Sequence, residues 1–273
     1  TASIAREKAG ILKRDGLAVS GVTDAPAAIE IEKIAAARKC KLYRVKSDYQ
    51  FHMNAPLIST NQPAAHRFQL KTWAKDWGEI ESPLLGPHQV ENAALALAVL
   101  DAAAEKGMKI EREKVVQAWQ GMQMPARVEI LGNKPMLVVD GAHNAASAQA
   151  LAETIQSNFP PVKGPRLLLF GTTREKDLEG QIRHLLPLFD RIILTQYQKN
   201  PRARSMEETR DAFENAGGKV SAMIFQPTEA LENAIAMAGP DGMVVVTGSL
   251  FLAAEIRAAI LGIEENRMET LAK

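Results

Sequence analysis

The sequence is sparing in several residue types that carry strong structural signals. One cysteine in 273 residues, Cys40, leaves no partner for an intrachain disulfide and no Cys-based zinc cage, and it fits a reducing compartment. Aromatic side chains make up only 5 %, so the core must be aliphatic. Neither sign of charge is in excess. The 33 Lys and Arg oppose 32 Asp and Glu for a formal net charge of +1, which argues against a protein devoted to nucleic-acid phosphates or an anionic membrane face. No apolar run approaches the roughly 20 residues of a spanning helix. The basic opening TASIAREKAGILKRDG lacks the apolar stretch of a secretory signal. There is no G-x-x-x-x-G-K-[ST] phosphate loop; Gly16 and Gly21 have the spacing, but Val and Thr follow. Also missing are G-x-G-x-x-G after a strand, G-x-S-x-G and H-E-x-x-H. His52, His66, His88, His143 and His184 show no metal-ligand spacing. With 46 % hydrophobic and 24 % charged residues, a soluble cytoplasmic globular protein is expected.

What is present is a regular alternation in the second half. Apolar runs at 135–140, 166–171, 191–196, 219–225 and 243–248 are each followed by a helix-period stretch, at 145–159, 175–189, 205–217, 228–239 and 250–262. Continuous apolar strands with amphipathic crossovers predict an α/β, doubly wound, mostly parallel sheet covered on both faces, with ligands beyond the carboxyl ends of its strands. The first half is less regular. It reads as a helical opening, a strand at 17–21, a helix over 25–39, a strand at 41–46, antiparallel hairpins across 47–82, and helices at 88–104 and 111–120. The segment 121–135, with prolines near both ends, is expected to be the linker. One strand–helix unit and some hairpins make a poor core by themselves, so this half reads as the later portion of a larger domain.

Candidate functional residues collect at strand ends and helix starts. In VVDGAHNAAS, Asp140 ends a strand, Gly141 permits a tight turn, and His143 and Asn144 lead into a helix. An acid and an imidazole there suit a ribose, a phosphate or a metal, while the plainer alternative is a strand end and a helix cap. Ser249 in VVVTGSLF falls at a helix N-terminus, as an N-cap or facing an anion. In LLGPHQVENAALAL, His88, Gln89 and Asn92 open an apolar helix; the amides suit an adenine edge or a sugar, or they cap. Arg127 in the linker could reach a phosphate or be solvated. Lys8, in AREKAGI, reads in isolation as part of a solvated helix face.

Taken together, AREKAGILK, LLGPHQVENAALAL, MPARVE, VVDGAHNAAS and VVVTGSLFLAAE, in that order over 1–262, resemble the folylpolyglutamate synthase/dihydrofolate synthase family of the Mur ligase superfamily. The resemblance implies the C-terminal portion of a Mur-ligase-type central ATP-binding domain over 1–125 and a Rossmann-like ligase domain over 126–263. A polar tail follows over 264–273, and the active site lies in the cleft between the domains. It implies ATP and Mg²⁺ as cofactors and folate or dihydropteroate and L-glutamate as partners; beside it, a monomer that binds neither nucleic acid nor membrane is expected. Position by position, it makes Lys8 a carbamylated lysine near the metal, which suits a cation that prefers hard oxygen ligands. Asn92, Arg127 and Asp140 become nucleotide contacts, His143 stands beside Asp140 in the cleft, and Ser249 lies at the glutamate or phosphate end.

The implied reaction is ATP-dependent amide formation through an acyl phosphate, with closure excluding water. Two departures from the family pattern are Ala145, where a proline is usual, and PAR in place of PGR in the linker. The resemblance also places the phosphate loop, and the Glu and His that complete the metal site, upstream of Lys8. These 273 residues are therefore expected to be part of a longer enzyme and not to turn over alone. The rival readings are a peptidoglycan-precursor Mur ligase, a non-catalytic nucleotide-binding module, and a purely structural role for every residue named.

Overall fold

A computed structural model describes residues 2–56 and 63–262, in two compact units: the first comprises 2–56 and 64–123, the second 63 and 124–262. The expected polar tail over 264–273 lies outside the described residues. No helix of the described residues is long and apolar enough to cross a membrane.

The first unit opens with α1 (Ala2–Lys8), a 3₁₀ turn (Ala9–Ile11), β1 (Leu17–Ser20), α2 (Ala25–Ala37) and β2 (Lys41–Arg44), the two strands pairing in parallel. Asp24 caps α2 by accepting from the Ala27 N–H, and Pro26 sits in the first turn, where no N–H is needed. An antiparallel three-stranded sheet follows, from β3 (Gln50–Met53), β4 (Arg67–Lys71) and β5 (Asp76–Glu81), as the alternation across 47–82 predicts. Phe68, Leu70, Trp77 and Ile80 bury one face of it. They pack against Val90, Ala93, Ala94, Leu97 and Ala98 of α3 (Pro87–Glu105), whose small residues allow close approach, and against Trp119 of α4 (Arg112–Gln120).

Two groups of polar contacts fasten this unit. Asp101 of α3, 1 % exposed, accepts from the Thr72 hydroxyl at 2.6 Å and the Trp77 indole at 2.8 Å. The Lys75 ammonium stands 3.2 Å from its other oxygen. Glu105, at the end of the same helix, accepts from the Tyr43 hydroxyl, from Trp73 at 2.6 Å and from Lys41 at 2.9 Å. The Tyr43 and Trp73 rings stack with centroids 3.4 Å apart. These hydrogen bonds, from Tyr43 first and then Lys41, hold the Glu105 carboxyl down at about 2.

The second unit carries the five predicted strand–helix pairs. They are β7 (Met136–Val139) with α5 (Ala145–Asn158), β8 (Arg166–Phe170) with α6 (Leu178–Leu185), β9 (Arg191–Leu194) with α7 (Met206–Asn215), β10 (Val220–Met223) with α8 (Pro227–Ala238), and β11 (Met243–Thr247) with α9 (Leu250–Leu261). The expected linker needs correction, because its second half forms β6 (Glu129–Asn133), which pairs antiparallel with β7. The six strands run in the order β10-β9-β8-β11-β7-β6, parallel except for β6. Every residue of β7 and β11 is buried, as a sheet covered on both faces requires. One face takes Val139, Leu167, Leu169, Val244 and Val246 into a core with α8 and α9.

Candidate functional site

The last strand of the sequence sits between the first two of the parallel set, so the carboxyl ends of β7, β11 and β8 lie side by side. Crevices of this kind hold ligands in open α/β sheets. The Ala142 carbonyl joins the two leading loops by accepting from the Gly248 N–H at 3.0 Å and the Thr247 hydroxyl at 3.4 Å. Gly248, at φ 103°, is pressed on the Gly171 carbonyl beyond β8, where a β-carbon would come within 2.7 Å. Only glycine meets both conditions.

Asp140 follows β7 directly and is 6 % exposed. Its Oδ1 accepts from the Ala142 N–H at 2.7 Å and its Oδ2 from the Val128 N–H at 2.9 Å. Burial raises its pKa above the ordinary carboxylate value, against the opposing pull of those two N–H groups, Arg127 and His143. The Gly141 N–H donates to the Ala126 carbonyl at 2.9 Å. The half-buried guanidinium of Arg127 lies against Gly141 and donates to the Ala126 carbonyl at 3.3 Å. His143 places Nδ1 3.0 Å from the Gly141 carbonyl. A carbonyl only accepts, so Nδ1 carries the hydrogen and Nε2 of the neutral ring is left as an acceptor. Asn144 and Ser147 form a reciprocal capping box that starts α5.

Ser249 is buried at 1 % exposure and caps α9, its Oγ accepting from the Phe251 N–H at 3.1 Å. The cap uses an acceptor position, and the hydroxyl proton can still be donated. The second unit thus gathers Arg127, Asp140, His143 and Ser249 on loops at the carboxyl ends of β7 and β11. In the first unit, Asn92 is exposed on the second turn of α3 and donates to Gln89 Oε1 at 3.4 Å, while the buried Gln89 meets His88 Nε2 at 3.0 Å. Lys8 ends α1 with its side chain 74 % exposed and Nζ 3.5 Å from Glu7, as a solvated helix face would have it. Among the described residues no group of three or more His, Cys, Asp or Glu could hold a metal ion.

Two participants escaped the sequence reading. Glu129 accepts from the Ala126 N–H at 2.9 Å and pairs through both oxygens with Arg257 Nε, at 2.9 and 2.8 Å. Arg257 lies mid-helix in α9, 128 positions away, and nothing in the local sequence signals the pair.

Residues 126–250 match the family model of the Mur ligase, glutamate ligase domain. A dihydrofolate synthase/folylpolyglutamate synthase from Bacillus subtilis is 27 % identical over 255 residues, or 93 % of this chain. A probable bifunctional folylpolyglutamate synthase/dihydropteroate synthase from Halobacterium salinarum is 34 % identical over 184 residues, covering 67 % of this chain and 21 % of its own. The crystal structure of Mycobacterium tuberculosis folylpolyglutamate synthase, complexed with ADP and AMPPCP, superposes with a TM-score of 0.81 at 26 % identity over 95 % of this chain. The chain is thus similar along nearly its whole length to folylpolyglutamate synthases/dihydrofolate synthases, with the likeness to the Mur ligase, glutamate ligase domain confined to 126–250. It spans 57 % of the length of the Bacillus relative and 59 % of the Mycobacterium structure.

Proposed function

We propose that this chain carries the glutamate-ligase part of a cytoplasmic, monomeric ATP-dependent carboxylate–amine ligase, which joins L-glutamate to the carboxylate of a folate or dihydropteroate. The observation that carries the reading is the grouping of a guanidinium, a buried carboxylate and an oriented imidazole around Gly141 at the carboxyl end of β7. A cation beside the N-termini of α5 and α9 suits a polyphosphate. In the first unit, Asn92 carries an exposed amide of the kind that pairs with an adenine edge or a sugar. ATP therefore fits the residues present.

Magnesium is the family's metal, but the described residues do not form a site for it by themselves. A carbamylated Lys8 would give one of the several oxygen ligands Mg²⁺ takes.

In the first step an oxygen of the folate carboxylate forms a bond to the γ-phosphorus of ATP as the bond to the β–γ bridging oxygen breaks. The Arg127 guanidinium balances charge on the transferring group. In the second, the glutamate nitrogen bonds to the acyl carbon, the carbon–oxygen bond to phosphate breaks, and a proton leaves the nitrogen. His143 Nε2 takes that proton, a role supported by the bond of Nδ1–H to the Gly141 carbonyl, which leaves Nε2 as the acceptor. Ser249 donates its hydroxyl proton to a carboxylate or phosphate oxygen.

The test is phosphate release that requires folate, ATP and glutamate together. It is measured for the 273 residues alone and joined to the part of a relative that they do not span. Release by the joined protein, lost on Arg127→Ala, supports the reading, with none expected from the 273 residues alone. A folded joined protein that releases nothing overturns it.

A further inference from the structure

The backbone around Arg127 is unusual on both sides. Ala126 and Val128 lie in the left-handed region, at φ 54° and 49°, without being glycine. For a β-branched residue such as Val128 that conformation is a true outlier, which persists only where the surroundings over-determine it.

Three anchors do so. The Ala126 N–H donates to Glu129 Oε2 and the Val128 N–H to Asp140 Oδ2, each at 2.9 Å, and the Ala126 carbonyl accepts from the Gly141 N–H, also at 2.9 Å. Glu129 is fixed in turn by Arg257, whose Nε reaches both its oxygens; the two side chains are only 20 % and 26 % exposed. Two carboxylates and an arginine are thus committed to a bend of three residues. The residue at the centre of that bend is Arg127. With the backbone fixed at 126 and 128, the Cα–Cβ direction of Arg127 is fixed too, and its guanidinium lies against Gly141, which has no β-carbon.

We propose that Glu129 and Arg257 are positioning residues which, with Asp140, hold the 126–128 bend and so aim Arg127 at the phosphates of the nucleotide. This rests on the reading of Arg127 as a nucleotide contact. Asp140 then acts through the bend, since each of its oxygens already accepts a backbone N–H.

Two measurements on the joined protein described above test it: the Kd for ATP by calorimetry, and hydrogen exchange of the amides at 126 and 128. Glu129→Ala should speed exchange at Ala126 and raise the Kd about tenfold, while Glu129→Gln, which keeps an acceptor oxygen, stays within about twofold. Arg257→Met keeps the Glu129 oxygen but frees it, and should give about threefold; it carries the test if Glu129→Ala unfolds. Glu129→Ala added to Arg127→Ala should cost nothing further in affinity, because both act on one contact. The proposal is overturned if Glu129→Ala leaves the Kd unchanged while Arg127→Ala raises it. If Arg127→Ala itself leaves the Kd unchanged, or the folded joined protein binds no ATP, the nucleotide reading of Arg127 falls and takes this proposal with it. The behaviour of Arg127→Ala tells the two failures apart.

Discussion

The guanidinium of Arg127 rests on the backbone of Gly141. A β-carbon at residue 141 would stand 2.9 Å from Nη1 and would overlap the side chain of Leu250. The absence of a side chain at the end of β7 is therefore what lets the chain entering β6 and the first turn of α9 approach the same spot. Gly141 is needed here for closeness, not for a positive φ, since its backbone is one any residue can adopt.

Gly141→Ala should accordingly act by overpacking. The expected loss is about 1–3 kcal/mol of stability in the second unit, together with weaker ATP binding as the guanidinium is pushed aside. Urea unfolding and a binding isotherm on the same preparation check both. Unchanged stability would mean that the Leu250 and Arg127 side chains give way freely.

Asp101→Ala should be among the most damaging single changes in the first unit. It strands the buried Trp77 indole N–H and the Thr72 hydroxyl and leaves the Lys75 ammonium without its carboxylate. Lys75 is partly exposed, so its share is small, and a loss of about 3 kcal/mol is expected, mostly from the unpaired donors. Denaturant unfolding followed by the fluorescence of Trp73, Trp77 and Trp119, all in this unit, reports it.

Glu105 gives the first unit an acid-sensitive fastening. Its pKa lies at about 2, so the stability it contributes is complete above the ordinary carboxylate value and drains away as pH falls toward about 2. Glu105→Gln removes that dependence. Melting temperatures taken between about pH 5 and pH 2 should fall less steeply for the variant than for the wild type. Parallel curves would show that the contacts with Tyr43, Lys41 and Trp73 do not persist in solution.

Ser249→Ala removes the cap of α9 and should cost about 1–2 kcal/mol, and Ser249→Thr should recover most of it. Under the proposed function, a loss of phosphate release by the joined protein with Ser249→Ala, beyond what the unfolded fraction explains, would separate the hydroxyl's chemical part from its capping part.

The five strand–helix pairs were legible because each carries its own period: a solid apolar run for a doubly covered strand, then a 3.6-residue repeat. The hairpins were legible for the same local reason, with Phe68 and Leu70 alternating against exposed neighbours. β6 was not. Its short run V-E-I-L lies between prolines and is interrupted by a register shift between Ile130 and Gly132, so its strand character comes from the partner β7 and not from its own pattern. Asp140, Arg127 and Ser249 stand out as residue types at element boundaries, and the fold does bring their loops together. What those residues bond to was hidden, because Asp140 with the Val128 N–H and Glu129 with Arg257 are tertiary pairs with no sequence period to announce them.

The position of β11 has a consequence for synthesis. It bonds to β7 on one side and β8 on the other, and those two strands meet only through it. While the ribosome is still making residues before Met243, the growing chain exposes two apolar strand edges with no partner between them. The second unit therefore acquires its central pairing only after residue 247 has left the exit tunnel. Until then, the facing edges of Leu167–Phe170 and Met136–Val139 are open to pairing with another chain.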